Sequence, residues 1–134
     1  MPAGIQEKMV DTALKNDVAA LLAEYSELPE YSEMTLNDVG TTSLFGNKPI
    51  NIAATRGIMA EVDTLLSVGV DVNNRGEHGY MPLHDAVEQG HLDVVRRLIE
   101  EGADPYGKTD DGTTPVELAV MLKEHDIEAF LRSL

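Results

Sequence analysis

The 134-residue chain contains no cysteine. That excludes a disulfide framework, a thiolate-ligated zinc or iron–sulfur site and a cysteine nucleophile. Basic residues are scarce: ten Lys and Arg stand against 24 Asp and Glu, a formal net charge of −14. Binding to a phosphate backbone relies on Lys and Arg to displace condensed counterions. Here Arg96-Arg97 is the only adjacent basic pair, with Asp93, Glu100 and Glu101 close by. Nucleic acid and an anionic membrane surface are therefore disfavoured as partners, whereas a basic protein is drawn in by the same field. No apolar run approaches the roughly 18 residues that span a bilayer. The first residues, MPAGIQEKMVDTALK, carry no apolar segment behind a basic start. The expectation is a soluble, cytoplasmic protein of one domain, long enough to bury a core without metal or disulfide staples.

Catalytic signatures are missing as well. GNKP at 46–49 lacks the spacing of a phosphate-binding GxxxxGK[ST] loop, and no dinucleotide fingerprint occurs. DDG at 110–112 lacks the alternating acids and the closing glutamate of a calcium loop. His125, Asp126 and Ser133 could be named base, orienter and nucleophile, yet no glycine-rich elbow or oxyanion loop accompanies them. One constellation deserves a test: PLHDAVEQGH at 82–91 spaces His84, Glu88 and His91 at i, i+4 and i+7. On one continuous helix these three would converge as ligands for zinc or iron and support a metal-assisted hydrolase. Gly90, however, interrupts the helical pattern just before His91.

What the chain does contain is internal repetition. Gly46, Gly79 and Gly112 lie 33 residues apart, as do Pro49, Pro82 and Pro115, and Ala53, Ala86 and Ala119. Gly57 and Gly90, Val62 and Val95, Leu65 and Leu98, Gly69 and Gly102, and Asp71 and Asp104 keep the same phase. The units are 46–78, 79–111 and a shorter 112–134. Within the middle unit, Pro82 suits the first position of a helix, where its missing N–H is not needed. A second helix follows from His91 to Glu101, with Leu92, Val95, Leu98 and Ile99 on one face and charged residues opposite. Gly102 suits its left-handed cap, and ADPYGKTDDG forms the turn to the next unit. Alanines on the first helices let neighbouring pairs approach, and stacking supplies the core that one pair lacks.

The period and its anchors resemble the ankyrin repeat, strongly over 46–134 and weakly over 5–45. That resemblance implies an all-α solenoid of stacked antiparallel helix pairs with hairpin-like loops, a single domain over 1–134. Residues 5–45 are then a degenerate N-terminal capping repeat with a long loop at 29–45, residues 46–78 and 79–111 are repeats, and 112–134 is a C-terminal capping repeat. Met9, Ala13, Val18, Leu21, Leu22 and Tyr25 suggest two short amphipathic segments hinged at Asn16-Asp17. Aligning Ala13 with Ala53 gives a spacing of 40, so the first connection is about seven residues longer than the period requires. The family's T-P-L-H is represented by KPIN, MPLH and TPVE, and no unit holds both its threonine and its histidine. Helix starts are therefore expected to be weakly capped, by about 1 kcal/mol each, although Asn51 and Glu117 can bond to loop backbone. His84 and His91 fall where the family uses histidine to buttress its loops.

The resemblance also implies a non-catalytic module, without cofactor or metal, that binds a partner protein through loop tips and the concave helix face. Carried over position by position, the candidate partner-binding residues are Phe45, then Arg75, Glu77, His78 and Tyr80, then Lys108, Asp110, Asp111 and Thr113 at the loops. The exposed first-helix positions Asp85, Glu88, Gln89 and Met121 complete the set. Tyr80 is the favoured anchor because tyrosine offers large contact area with few rotors. Phe45 is either an anchor or packing beneath the long loop. The acids suit a basic surface. An adaptor is one expectation, and an immunity or antitoxin-like inhibitor occluding a basic toxin or enzyme is the alternative. A monomer is expected in either case.

Overall fold

The computed structural model describes residues 3–32 and 34–134; the side chains of residues 3–12 are not among those described. Seven α-helices and no strand are present among the described residues: α1 Ala3–Tyr25, α2 Pro49–Arg56, α3 Met59–Ser67, α4 Pro82–Glu88, α5 Leu92–Glu100, α6 Pro115–Met121 and α7 His125–Arg132. Single 3-10 turns lie at Pro29–Tyr31 and Glu77–Gly79.

The three helix pairs follow from the phased residues. Pro49, Pro82 and Pro115 each occupy the first turn of an inner helix, where proline's fixed φ is already helical. Between the two helices of each pair the chain turns through a left-handed residue: Gly57 (φ +74°), Gly90 (φ +73°) and, in the last pair, Lys123 (φ +59°). Ala53, Ala86 and Ala119 are fully buried. They lie on α2, α4 and α6, which pack side by side as one layer. The outer helices α1, α3, α5 and α7 form a second layer in the same order. Val62, Leu65, Leu83, Val87, Val94, Val95, Leu98 and Ile127 fill the space between the layers. At about 25 cal/mol per Å² of apolar surface removed from water, this shared interior holds units that would not be stable singly.

The N-terminal unit differs from the expected capping pair. No hinge occurs at Asn16-Asp17; α1 runs through both residues as one 23-residue helix packed on α3. Asn and Asp in a helix interior cost well under about 1 kcal/mol each, and no proline intervenes before Pro29, so nothing stops the helix. Its last turns carry the packing: Leu21, Leu22 and Tyr25 are buried. Tyr25 donates its hydroxyl to Glu61 Oε1 at 2.6 Å, while Arg56 joins Glu61 at 2.8 Å and Glu24 at 2.7 Å. Met9, placed on the same face by the sequence pattern, lies outside the described side chains.

The long first connection packs onto the core. Tyr31 and Leu36 are buried, and the Tyr31 hydroxyl donates to the Thr41 carbonyl at 2.8 Å. Tyr31 and Leu36 thus join the buried core from a connection that lies outside the repeat phase.

Candidate partner-binding face

Each loop ends in a tight reversal closed by main-chain bonds, again in the 33-residue phase. Ser43 N–H donates to the Asn47 carbonyl at 2.7 Å, Gly76 to Tyr80 at 2.8 Å and Thr109 to Thr113 at 2.9 Å. Neighbouring reversals are joined: Glu77 N–H donates to Asn47 Oδ1 at 2.9 Å, and Asp110 N–H to the His78 carbonyl at 3.0 Å. The result is a row of three fingers tipped by Leu44-Phe45, Glu77-His78 and Asp110-Asp111. Leu44 is 63% exposed and Phe45 52%. Phe45 does not pack beneath the long loop, where Tyr31 and Leu36 are the buried residues.

Residues 51 and 84 buttress the fingers in the same way with different chemistry. His84 is fully buried; its Nδ1 accepts the Met81 N–H at 3.2 Å and its Nε2 donates to the Thr113 carbonyl at 3.0 Å. Asn51 Oδ1 accepts the Lys48 N–H at 3.0 Å, and its Nδ2 donates to the Asn74 carbonyl at 3.1 Å and the Tyr80 carbonyl at 3.3 Å. In the third unit Thr114 Oγ1 caps the Glu117 N–H at 3.3 Å. Each helix start thus has one side-chain bond, and the expected shortfall holds in part: the N-cap side chains of Lys48 and Met81 make no cap bond, while an amide and an imidazole, each combining one acceptor and one donor, hold the N-cap N–H in their place.

The His84, Glu88, His91 triplet does not converge. Both ring nitrogens of His84 are engaged by main chain, and His91 Nε2 bonds to the Thr55 carbonyl at 2.9 Å. His91 closes over Gly57, where a Cβ would meet the ring at 2.5 Å.

The remaining candidates divide by what the fold already asks of them. Arg75 Nη1 donates to the carbonyls of Gly79, at 3.3 Å, and Lys108, tying two fingers together. Asp111 Oδ1 accepts the hydroxyls of Thr109 and Thr113, and those two bonds hold its carboxyl below the ordinary range. Arg75, Asp111 and Thr113 are thus occupied by loop structure. Glu77, His78, Lys108 and Asp110 are exposed at the fingers, and Glu88, Gln89 and Met121 on the inner helices. Met121 sits between exposed Val120 and Leu122. Tyr80 is half-buried, its ring 5.5 Å from that of His84 and tilted by 45°. Burial first, and then the neighbouring Glu88 carboxylate, push its hydroxyl up to about 12.

Between the second finger and the inner helices lies a cavity of about 360 Å³. Glu30, Glu77, Asp85 and Glu88 supply its acids, and Ile52 and Tyr80 its apolar walls. Glu30 has no counterpart in the repeat phase. It is brought there because its Oε1 accepts Ser43 Oγ at 2.7 Å and Asn47 Nδ2 at 3.1 Å, a fold-back of the long loop that no periodic signal announces.

Paired helices stacked in two layers behind a row of fingers define a helical repeat solenoid, a class that presents extended concave binding surfaces. Residues 65–119 match the family model for ankyrin repeats (many copies), and that stretch of the solenoid is ankyrin-repeat sequence. Comparison with curated proteins finds no match. Ankyrin repeats are generally protein-interaction modules and typically non-catalytic. Among the described residues no helix is long and apolar enough to cross a membrane.

Proposed function

We propose that this chain is a cytoplasmic, monomeric, non-catalytic binding module, one domain capped by 5–45 and 112–134, whose partner protein lies across the finger tips and the inner-helix face. The observation that carries the reading is the finger row itself. Leu44 and Phe45 are exposed at its apolar end, and Glu77, His78 and Asp110 continue it without being consumed by loop structure. Exposed aromatic and large apolar side chains beside charged ones are the composition of a binding hot spot with its rim. The net charge of −14 favours a basic partner and disfavours nucleic acid and anionic membrane. The alternative reading is a dedicated inhibitor that occludes a basic toxin or enzyme, which the same acidity suits.

The test is capture from a lysate of the source cells by the intact chain and by two variants, Phe45→Ala and Glu77→Lys with Asp110→Lys. A genuine partner is lost with Phe45→Ala, and its association slows with the charge reversal, while circular dichroism of both variants is unchanged. Retention of every captured protein by both variants would remove the finger row from the site. A single partner released by high salt supports the inhibitor, and several salt-resistant ones support the adaptor.

A further inference from the structure

The cavity behind the second finger holds a carboxylate, Asp85, that has one long hydrogen bond and no counter-charge. Asp85 is partly buried, and its nearest donor is Asn51 Nδ2 at 3.4 Å. That amide nitrogen has two hydrogens and shorter contacts to the Asn74 and Tyr80 carbonyls at 3.1 and 3.3 Å. Asp85 therefore holds the longest of the three contacts this amide makes. The charges around it are of its own sign: Glu30, Glu77 and Glu88 line the same cavity. Arg56, the cation at the rim, is turned away into Glu24 and Glu61 at 2.7 and 2.8 Å. His78 lies 3.6 Å from Glu77 and is largely in solvent. Desolvation, opposed by the Asn51 hydrogen bond and reinforced by the three acids, raises the Asp85 carboxyl well above the usual carboxylate range. A buried carboxyl without a counter-charge is costly to ionise, and an incoming cation removes that cost.

We propose that this cavity receives one cationic side chain, an arginine or a lysine, from the partner protein. The apolar walls, Ile52 and Tyr80, suit the aliphatic stem, the Tyr80 ring can face a guanidinium, and Asp85 with Glu88 one turn away can take its N–H donors. A volume of about 360 Å³ falls near the lower end of the range for small ligand sites, which fits one long side chain rather than a folded element. The source of that side chain rests on the protein-binding reading above; the cavity's preference for a cation does not.

The two are separated by probing the cavity with a small compound. N-acetyl-arginine methylamide, titrated into the ¹⁵N-labelled protein, is expected to give saturable shifts at the amides of Tyr80, Asp85 and Glu88. The neutral citrulline analogue is expected to give none. Asp85→Asn should weaken the arginine compound by at least about ten-fold while leaving the urea midpoint unchanged or higher, since an unpaired carboxylate is removed. Equal shifts with citrulline, absence of saturation, or a lower midpoint for Asp85→Asn would each overturn the proposal, the last by making Asp85 a structural acceptor. A partner that survives Asp85→Asn but is lost with Phe45→Ala would overturn it too, leaving the finger row as the docking site.

Discussion

Replacing His84 tests how the stack is held together. Its ring is fully enclosed and serves two main-chain groups, the Met81 N–H and the Thr113 carbonyl. In His84→Ala the Thr113 carbonyl keeps its bond from the Thr109 N–H, but the buried Met81 N–H loses its acceptor. Stranding a buried donor costs about 1–3 kcal/mol, and the void left by the ring adds about 1–2 kcal/mol more. The expected loss is about 2–5 kcal/mol. His84→Asn installs what the preceding unit already uses at Asn51, one acceptor toward the helix start and one donor toward the next finger. It keeps both bonds and forfeits only volume, about 1–2 kcal/mol. Urea unfolding followed by far-ultraviolet circular dichroism at pH 7.5 measures both, with m unchanged. Equal losses for Ala and Asn would refute the reasoning, because the ring would then be acting through its volume alone. A pH series sharpens the result. Burial, chiefly, lowers the His84 imidazole from its ordinary value of about 6.5, and Arg75 adds to this while the Thr113 and Gly107 carbonyls and Asp104 oppose it. The unfolded chain therefore takes up this proton at a higher pH than the folded one. Stability from His84 is complete above about pH 6.5 and is lost as the pH falls below it toward the folded value. Asp85, with its carboxyl raised, contributes in the opposite sense on acidification. The difference between the wild-type and His84→Asn curves isolates the imidazole.

Tyr25→Phe removes the hydroxyl that donates to Glu61 at 2.6 Å but leaves Arg56 in place. It should cost about 1–2 kcal/mol in urea unfolding and raise amide exchange in the last turns of α1. Lys123 adopts φ +59° where the other pairs have glycine, so Lys123→Gly should stabilise by about 1 kcal/mol. The converse change, Gly57→Ala, should destabilise by more than that strain alone, since its Cβ would sit 2.5 Å from the His91 ring; adding His91→Ala should recover the steric part. A Lys123→Gly variant with a lower midpoint would show that the backbone strain is not what limits the last pair.

The features legible in the sequence are those where sterics leave few choices. A first-turn proline, a left-handed turn and a close helix crossing admit narrow residue sets, so Pro82, Gly90 and Ala86 repeat visibly in phase. Lys123 was recognisable as the exception in that series. The equivalence of Asn51 and His84 was not, because an amide and an imidazole look unrelated until both are seen holding a helix start and the following finger. The continuity of α1 was hidden by Asn16-Asp17, whose weak helix propensity resembles a hinge but lacks the energy to make one. The cavity was hidden more deeply. Asp85 and Glu88 lie in the repeat phase, but Glu30 is delivered by a loop outside it. The sequence allows Phe45 to be either anchor or filler, and only its exposure in the fold decides that it faces solvent.

The unlike finger tips carry a consequence for alignment. Three identical tips would let a partner slide by one unit and find an equivalent footing. Here the apolar Leu44-Phe45 tip is followed by a mixed Glu77-His78 tip and an acidic Asp110-Asp111 tip. A one-unit displacement would press the partner's greasy contact onto Glu77 and leave its cationic contact without an acid, at a desolvation cost in kilocalories. Under the proposed docking the row would admit one frame and one polarity, much as a keyed connector does, although the units behind it are built alike.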